Sequence, residues 1–294
     1  MPRKWIVHQA SNQGMRTQNE DEHRVVTNLF QETINRELAP IDYFCIMDGH
    51  GGDEVAKYIA TPLCRFFTGK SHSKNIFQSY PIDENKINTA FKKLQDAIVN
   101  HPQNIGAACG STVLIVVRYI KNGKDALQII NLGDCRAVIC RNGKPIFTTM
   151  DHKPHWPNEK VRIEKVNYDM RSNKHVEFID GAYRIGDLSV SRAMGDLDNT
   201  PHVTHTPEIY NYFLNDKDEF MVLACDGLWD VLQPQDVINF VRDHINNNMI
   251  DAYNIRGVYP SNKVKKSDSI AEKLAEYAIA SGSSDNVTII IVIF

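Results

Sequence analysis

The chain has 294 residues, 42% hydrophobic and 23% charged, the balance of an ordinary water-soluble globular protein and not of a disordered or fibrous one. A formal net charge of −3 supplies no basic face for a polyanion, which makes nucleic acid a poor partner. Six cysteines with no C-x-x-C pair and eleven histidines with no zinc spacing argue against a disulfide framework or a zinc site, and for buried free thiols in a reducing compartment.

Met1 to Trp5 lead into no apolar h-region, position 2 is not glycine, and no apolar run reaches membrane-spanning length. The expectation is an intracellular protein, cytoplasmic, nuclear or both. The first stretch that carries chemistry is Gln13-Gly14-Met15-Arg16-Thr17-Gln18-Asn19-Glu20-Asp21. On a strand, positions 16, 18 and 20 share a face. Arg16 and Glu20 then either border one pocket, cation toward an oxyanion and carboxylate toward a metal, or form a plain surface salt bridge.

The apolar run Phe44 to Met47 ends in Asp48-Gly49-His50-Gly51-Gly52. Glycines permit a tight turn and close backbone approach. Asp48 has two oxygens with which to bridge cations, the Gly49 carbonyl adds a ligand, and His50, with an ordinary pKa near 6.5, is a candidate acid. Helical spacing follows at Asp53 to Phe67 and at Glu84 to Asn100, separated by a polar surface loop from Gly69 to Asp83. Gly110 to Ile120 reads as one long strand. Ile129 to Gly133 is another, ending at Asp134. Val138 to Arg141 and Pro145 to Thr148 flank Asn142-Gly143, a hairpin signal because that pair accepts the positive φ of a type I′ turn.

Pro157 to Val166 reads as a helix with proline in its first turn. Ser191 to Asp196 carries a serine with no assignable base and reads as structural. Phe220 to Cys225 runs into Asp226-Gly227-Leu228-Trp229-Asp230. Asp134 and Asp230 are either a further carboxylate pair for a cation or, respectively, a strand-bend and a helix cap. Gln235 to Ile245 and Asp268 to Ser281 read as helices around a polar loop from Asn246 to Lys266, whose lysines are either a solvated surface or a contact for an acidic partner. Ser283-Ser284-Asp285-Asn286 opens a last apolar run, Val287 to Ile293. Strand ends placed side by side would gather several carboxylates. Like charges so gathered repel, and hard divalent cations such as Mg²⁺ or Mn²⁺ resolve the conflict. Mixed strand and helix patterns suggest an α+β fold with antiparallel sheet.

Taken in order, Arg16 to Asp21, Asp48 to Gly52, Leu132 to Ala137, Asp151-His152-Lys153-Pro154, Ser191 to Asp196, Asp226 to Asp230 and Asp285 to Thr288 resemble the metal-dependent protein serine/threonine phosphatases called PP2C or PPM. The resemblance covers nearly the whole chain. It implies a single phosphatase domain over 1–294, an α-β-β-α sandwich of two antiparallel sheets flanked by helices, with a flap-like segment near 166–190 and a polar loop near 246–267. It implies a binuclear Mn²⁺ or Mg²⁺ centre, with Glu20, Asp48 and the Gly49 carbonyl on one ion and Asp48, Asp226 and Asp285 on the other. Asp134, Asp226 and Asp230 would form a weaker third site. Asp21 would orient a water, Arg16 anchor the phosphate, and His50 act as general acid.

The implied activity is hydrolysis of phosphoserine and phosphothreonine in proteins by a metal-bridged hydroxide, with phosphorylated proteins as partners and the chain acting as a monomer. The chain departs from the family at Asn167-Tyr168-Asp169-Met170, where a Gly-Gly pair is expected, and in the length of the 246–267 loop. The competing readings are a catalytically weak PP2C-like regulatory or binding module, against which the complete ligand set speaks, and another two-metal hydrolase such as a nuclease, against which the charge speaks.

Overall fold

The computed structural model describes residues 5–32, 38–69, 79–254 and 269–294. Along the chain the strands are β1 (Ile6–Asn12), β2 (Glu22–Glu32), β3 (Leu38–Met47), β4 (Gly49–His50), β5 (Gly110–Ser111), β6 (Val113–Lys121), β7 (Lys124–Leu132), β8 (Arg136–Arg141), β9 (Lys144–Thr148), β10 (Val176–Ile179), β11 (Ala182–Ile185), β12 (Met194–Gly195), β13 (Glu208–Phe213), β14 (Asp218–Ala224) and β15 (Val287–Ile293). The helices are α1 (Glu54–Thr68), α2 (Glu84–Val99), α3 (Pro157–Met170), α4 (Asp226–Trp229), α5 (Pro234–Asn254) and α6 (Ile270–Ala280). They divide into two compact units, one made of 1–19, 136–149 and 215–294, the other of 20–135 and 150–214.

The first unit is a five-stranded antiparallel sheet in the order β1-β15-β14-β8-β9 with α4, α5 and α6. Alternation along its strands sends one set of side chains to the helices. Val138, Cys140, Phe220, Val222, Ile289 and Ile291 pack with Leu228, Trp229, Val237, Val241, Leu274 and Ala278. Each fully buried aliphatic or aromatic side chain there contributes roughly 1.5–3 kcal/mol. The β8–β9 hairpin turns at Asn142 and Gly143 with φ of 50° and 72°, the type I′ geometry that the dipeptide favours. Asp226 begins α4 at the end of β14, and Asp230 is that helix's exposed C-cap.

The second unit is a five-stranded antiparallel sheet in the order β13-β7-β6-β3-β2, with α1, α2, α3 and two small sheets. Val55, Ile59, Leu63 and Phe67 of α1 and Ile87, Phe91 and Ile98 of α2 pack on Tyr43, Cys45 and Met47 of β3 and Val113, Ile115 and Val117 of β6. The caps suit the chemistry. Asp83 precedes α2 and its side chain accepts from the N–H groups of Asn85 and Lys86, satisfying donors the helix leaves open. Gly69 ends α1 at φ 67°. Pro157 opens α3.

Four expectations change. Gly110 to Ile120 is two strands, broken at Thr112. Helix α3 runs past Val166 to Met170 and stops at Arg171 with φ 52°. The segment expected to carry a Gly-Gly pair has no glycine to break the helix, so α3 continues through it. Helix α5 runs to Asn254, so the first part of the expected 246–266 loop is helical, while 255–268, including the lysine group, lies outside the described residues. Helix α6 begins at Ile270 with Ser269 as N-cap. Of the Gly69–Asp83 loop, 70–78 lies outside the described residues.

Candidate metal centre

In the second unit β3 ends at Met47 and the chain turns at Asp48. The break at Thr112 explains how that turn is held. The Thr112 N–H donates to the Asp48 carbonyl at 2.9 Å, and its hydroxyl accepts from the Asp48 N–H at 3.2 Å. Thr112 leaves the main sheet and clamps the Asp48 backbone from both sides. Gly49 is bare for a steric reason: a Cβ there would lie 2.4 Å from the Glu20 carbonyl oxygen. Glycine lets the Asp48 turn and the Glu20-Asp21 segment meet backbone to backbone.

The carboxylates follow. One oxygen of Asp21 and one of Asp48 lie within 4.8 Å of each other, and so do one of Asp48 and one of Asp134. Asp134 is 2% exposed and sits after β7 in a turn built by its neighbours. His152 Nδ1 accepts from the Gly133 N–H at 3.0 Å, and the His152 N–H donates to the Gly133 carbonyl at 2.9 Å. Lys153 forms an ion pair with Asp134. The Asp151 to Pro154 block therefore serves the Asp134 turn. Crowded anionic oxygens of this kind fit a hard divalent cation in charge and in donor type, so the residues present suit Mg²⁺ or Mn²⁺.

His50 occupies β4. Its Nε2 lies 2.9 Å and 2.8 Å from the two carboxylate oxygens of Asp196. Burial opposes charge on the ring. The hydrogen bond and charge of Asp196, with Asp134 and Glu20 adding to them, outweigh that, and the His50 pKa is held above its ordinary value. The stretch Ser191 to Asp196, expected to be structural, thus delivers a partner to the candidate acid. Burial pushes the Cys45 thiol up to about 12 and those of Cys109 and Cys140 up to about 11, so these three stay protonated near neutral pH.

In the first unit Arg16 Nη2 donates to Asp285 Oδ2 at 2.7 Å, with the side chains 59% and 37% exposed. The expected alternative of a surface salt bridge is present, although with Asp285 as the partner. The Asp285 turn is tied down by Asn286, whose side-chain N–H₂ donates to the carbonyls of Gln13 at 2.8 Å and Gln18 at 2.9 Å. Asp226 is fixed by its successor: a Cβ on Gly227 would lie 2.0 Å from the Asn286 carbonyl oxygen, and the Ser283 hydroxyl donates to the Gly227 carbonyl at 2.7 Å. The Asp226 and Asp285 turns are therefore built against one another.

Sequence reasoning singled out Glu20, Asp21, Asp48, Gly49, His50 and Asp134 in the second unit and Arg16, Asp226, Asp230 and Asp285 in the first. It gave no role to Thr112, His152, Lys153, Asp196 or Asn286. The Asp-His-Lys-Pro run and the Asn after Asp285 were the available signals. Thr112, inside an apolar strand, gave none.

Comparisons with known proteins bear on the whole chain. The family described as Protein phosphatase 2C matches residues 7–287. A PP2C-like domain-containing protein of Acanthamoeba polyphaga mimivirus is 54% identical over 58% of this chain and 96% of its own length. Protein phosphatase 1B of Rattus norvegicus is 31% identical over 97% of this chain and 69% of its own. Among solved structures, serine-threonine phosphatase 2C from Toxoplasma gondii superimposes with a TM-score of 0.71 at 19% identity, covering 99% of this chain and 95% of that one. At that identity the likeness speaks for the fold.

Proposed function

We propose, from the premise that this chain belongs to the protein phosphatase 2C family, that it hydrolyses phosphoserine and phosphothreonine esters in proteins with divalent cations held by its carboxylates. The observation that carries the reading is the crowding of Asp21, Asp48 and the buried Asp134 within one unit. Asp48 lies within 4.8 Å of each of the other two, and the Lys153 ammonium offsets only one of the three charges, so the group suits a cation. Glu20, Asp48 and the Gly49 carbonyl would hold one Mn²⁺ or Mg²⁺ ion, Asp48, Asp226 and Asp285 a second, and Asp134, Asp226 and Asp230 a weaker third. When bound, such ions polarise phosphoryl oxygens and make water a competent nucleophile near neutral pH.

The chain's own groups do the rest. Arg16 presents a planar fork that matches two phosphate oxygens, and its exposed pairing with Asp285 leaves it accessible to an incoming anion. Asp21 accepts a hydrogen bond from the attacking water and orients it. His50 gives its proton to the leaving seryl or threonyl oxygen as the P–O bond breaks, and the Asp196 carboxylate, in hydrogen-bond contact with Nε2, favours the charged ring from which that proton comes. Positioning and charge stabilisation are most of the task in phosphoryl transfer. No covalent phosphoenzyme is required. We read the two units as one phosphatase domain. Among the described residues no helix is long and apolar enough to cross a membrane.

The test is phosphate release from phosphoserine, phosphothreonine and phosphotyrosine peptides in Mn²⁺, beside cleavage of an oligonucleotide. Turnover of the first two peptides, with little on the third and none on the oligonucleotide, is expected. Oligonucleotide cleavage would favour the nuclease reading. Peptide binding without turnover would favour a binding module.

A further inference from the structure

We infer that Asp196 is the positioning residue of the phosphatase reaction proposed above: it holds the His50 ring by Nε2 and thereby leaves Nδ1 as the nitrogen that faces the leaving oxygen. The inference rests on that proposal for the role of His50, and on the following construction for the contact itself.

The contact sits on a three-stranded sheet in the order β12-β5-β4. Gly110, in the middle strand, is opposite His50 on one side and Gly195 on the other. A Cβ on Gly110 would lie 2.2 Å from Asp196 Oδ2 and 2.5 Å from His50 Nε2. The ring and the carboxylate therefore meet in the space that a side chain at 110 would fill. Asp196 reaches that space in the left-handed region, φ 47°, which aspartate tolerates better than most residues but still at a cost. Several bonds hold it there. Its N–H donates to the Cys109 carbonyl at 3.1 Å. The preceding Gly195 is gripped by buried Gln95 of α2, which donates to its carbonyl at 2.8 Å and accepts from its N–H at 2.9 Å.

Asp196 is 2% exposed on its side chain, while the His50 side chain is 26% exposed. The acid's partner is thus shut in and the acid itself reaches out. A carboxylate on both of whose oxygens Nε2 sits accepts the Nε2–H, so the transferable proton is the one on Nδ1. In the reaction the P–O bonding pair leaves with the seryl or threonyl oxygen and the Nδ1 proton joins it. The ring is left neutral with Nε2–H still donated to Asp196, and Nδ1 regains a proton from solvent.

Three variants test this. Asp196→Ala removes the hold, Asp196→Asn keeps an acceptor oxygen and a residue at ease in the left-handed region, and Gly110→Ala pushes the two side chains apart while leaving both in place. Turnover of a phosphoserine peptide should fall about 10–100-fold in Asp196→Ala and Gly110→Ala, a part of the roughly 10²–10⁴-fold that general-acid catalysis supplies, and distinctly less in Asp196→Asn. Losses on p-nitrophenyl phosphate, whose leaving group needs little proton help, should be much smaller. In a His50→Gln background Asp196→Ala should cost less than about 2-fold more, because the two residues act as one unit. Losses that add to those of His50→Gln, or that are equal on the two substrates, would overturn the inference. The nitrogen-15 resonances of His50 in the Mg²⁺ protein read the contact without turnover. Nε2 should be protonated in the wild type, and an unprotonated Nε2 at neutral pH would overturn the assignment. A wild type inactive on all phosphopeptides with Nε2 protonated would instead sink the phosphatase reading and sustain the contact.

Discussion

Two contacts, one in each unit, set a basic side chain against a carboxylate, and they are built in opposite ways. Arg16 and Asp285 meet at 2.7 Å with side chains 59% and 37% exposed. His50 and Asp196 meet at 2.8 Å with 26% and 2%. Exposed pairs are worth about 0–1 kcal/mol and exchange partners readily. A buried pair held by glycine-lined backbone does not. On the proposed mechanism the difference separates two tasks: the exposed Arg16 would take up and release an anion, and His50, held by Asp196, would deliver a proton.

The comparison breaks at its base if the carboxylates are not cation ligands, and Asp48→Asn tests that. Metal-supplied charge stabilisation is worth several kcal/mol, so the variant should lose about 10³-fold or more in kcat/KM and bind less Mn²⁺ in equilibrium dialysis, with an unchanged circular dichroism spectrum. Next comes His50→Gln. Phosphopeptide turnover should fall about 10²–10⁴-fold, p-nitrophenyl phosphate turnover much less, and metal content not at all. Equal losses on both substrates would point to a role in shaping the Asp48 turn. Arg16→Ala should weaken phosphopeptide and inorganic-phosphate binding by about 10–100-fold, the worth of hydrogen bonds to a charged group. Lysine should restore only part, since an ammonium lacks the planar fork. Thermal stability should barely move. An unaltered KM with unaltered phosphate inhibition would reduce Arg16 to a surface pair.

The smallest effect sharpens the buried side of the comparison. Glu159, 3% exposed, accepts from Arg192 at 2.5 Å, Arg162 at 2.9 Å and Ser191 at 2.8 Å. Burial alone would raise its pKa. Arg192 and Arg162 outweigh that and hold it at about 2, below the ordinary 4.5. A depressed carboxyl stabilises the fold above the ordinary value and ceases to do so as pH falls toward about 2. Glu159→Gln should therefore lower Tm near neutral pH by a few degrees and flatten the decline of Tm between about pH 4.5 and 2. A parallel decline in wild type and variant would show that the network carries no charge-dependent stability.

Much of this was legible in the sequence where one local rule decides the outcome. The carboxylate at each strand end, the proline that opens α3 and the Asn142-Gly143 turn all follow from local chemistry. The same turn chemistry operates at Asn122-Gly123 and Asp180-Gly181, with φ of 52° and 74°, and 50° and 83°. What stayed hidden depends on residues far apart in the chain. Thr112 breaks a strand only because the Asp48 backbone, 64 positions away, supplies better partners. Asp196 lies 146 positions from His50, and no periodicity links them. Asn246 to Asn248 read as loop because asparagine is a poor helix former, yet α5 carries on through them, a case of weak propensity overridden.

The most direct measurement is phosphate release from a phosphothreonine peptide by the purified chain, first stripped with EDTA and then titrated with Mn²⁺ or Mg²⁺, beside Asp226→Asn treated the same way. The wild type should be silent after chelation and recover fully with added cation, while Asp226→Asn should stay folded and recover almost nothing. Full turnover in chelated buffer, or full activity of Asp226→Asn there, would contradict hydrolysis by carboxylate-held cations.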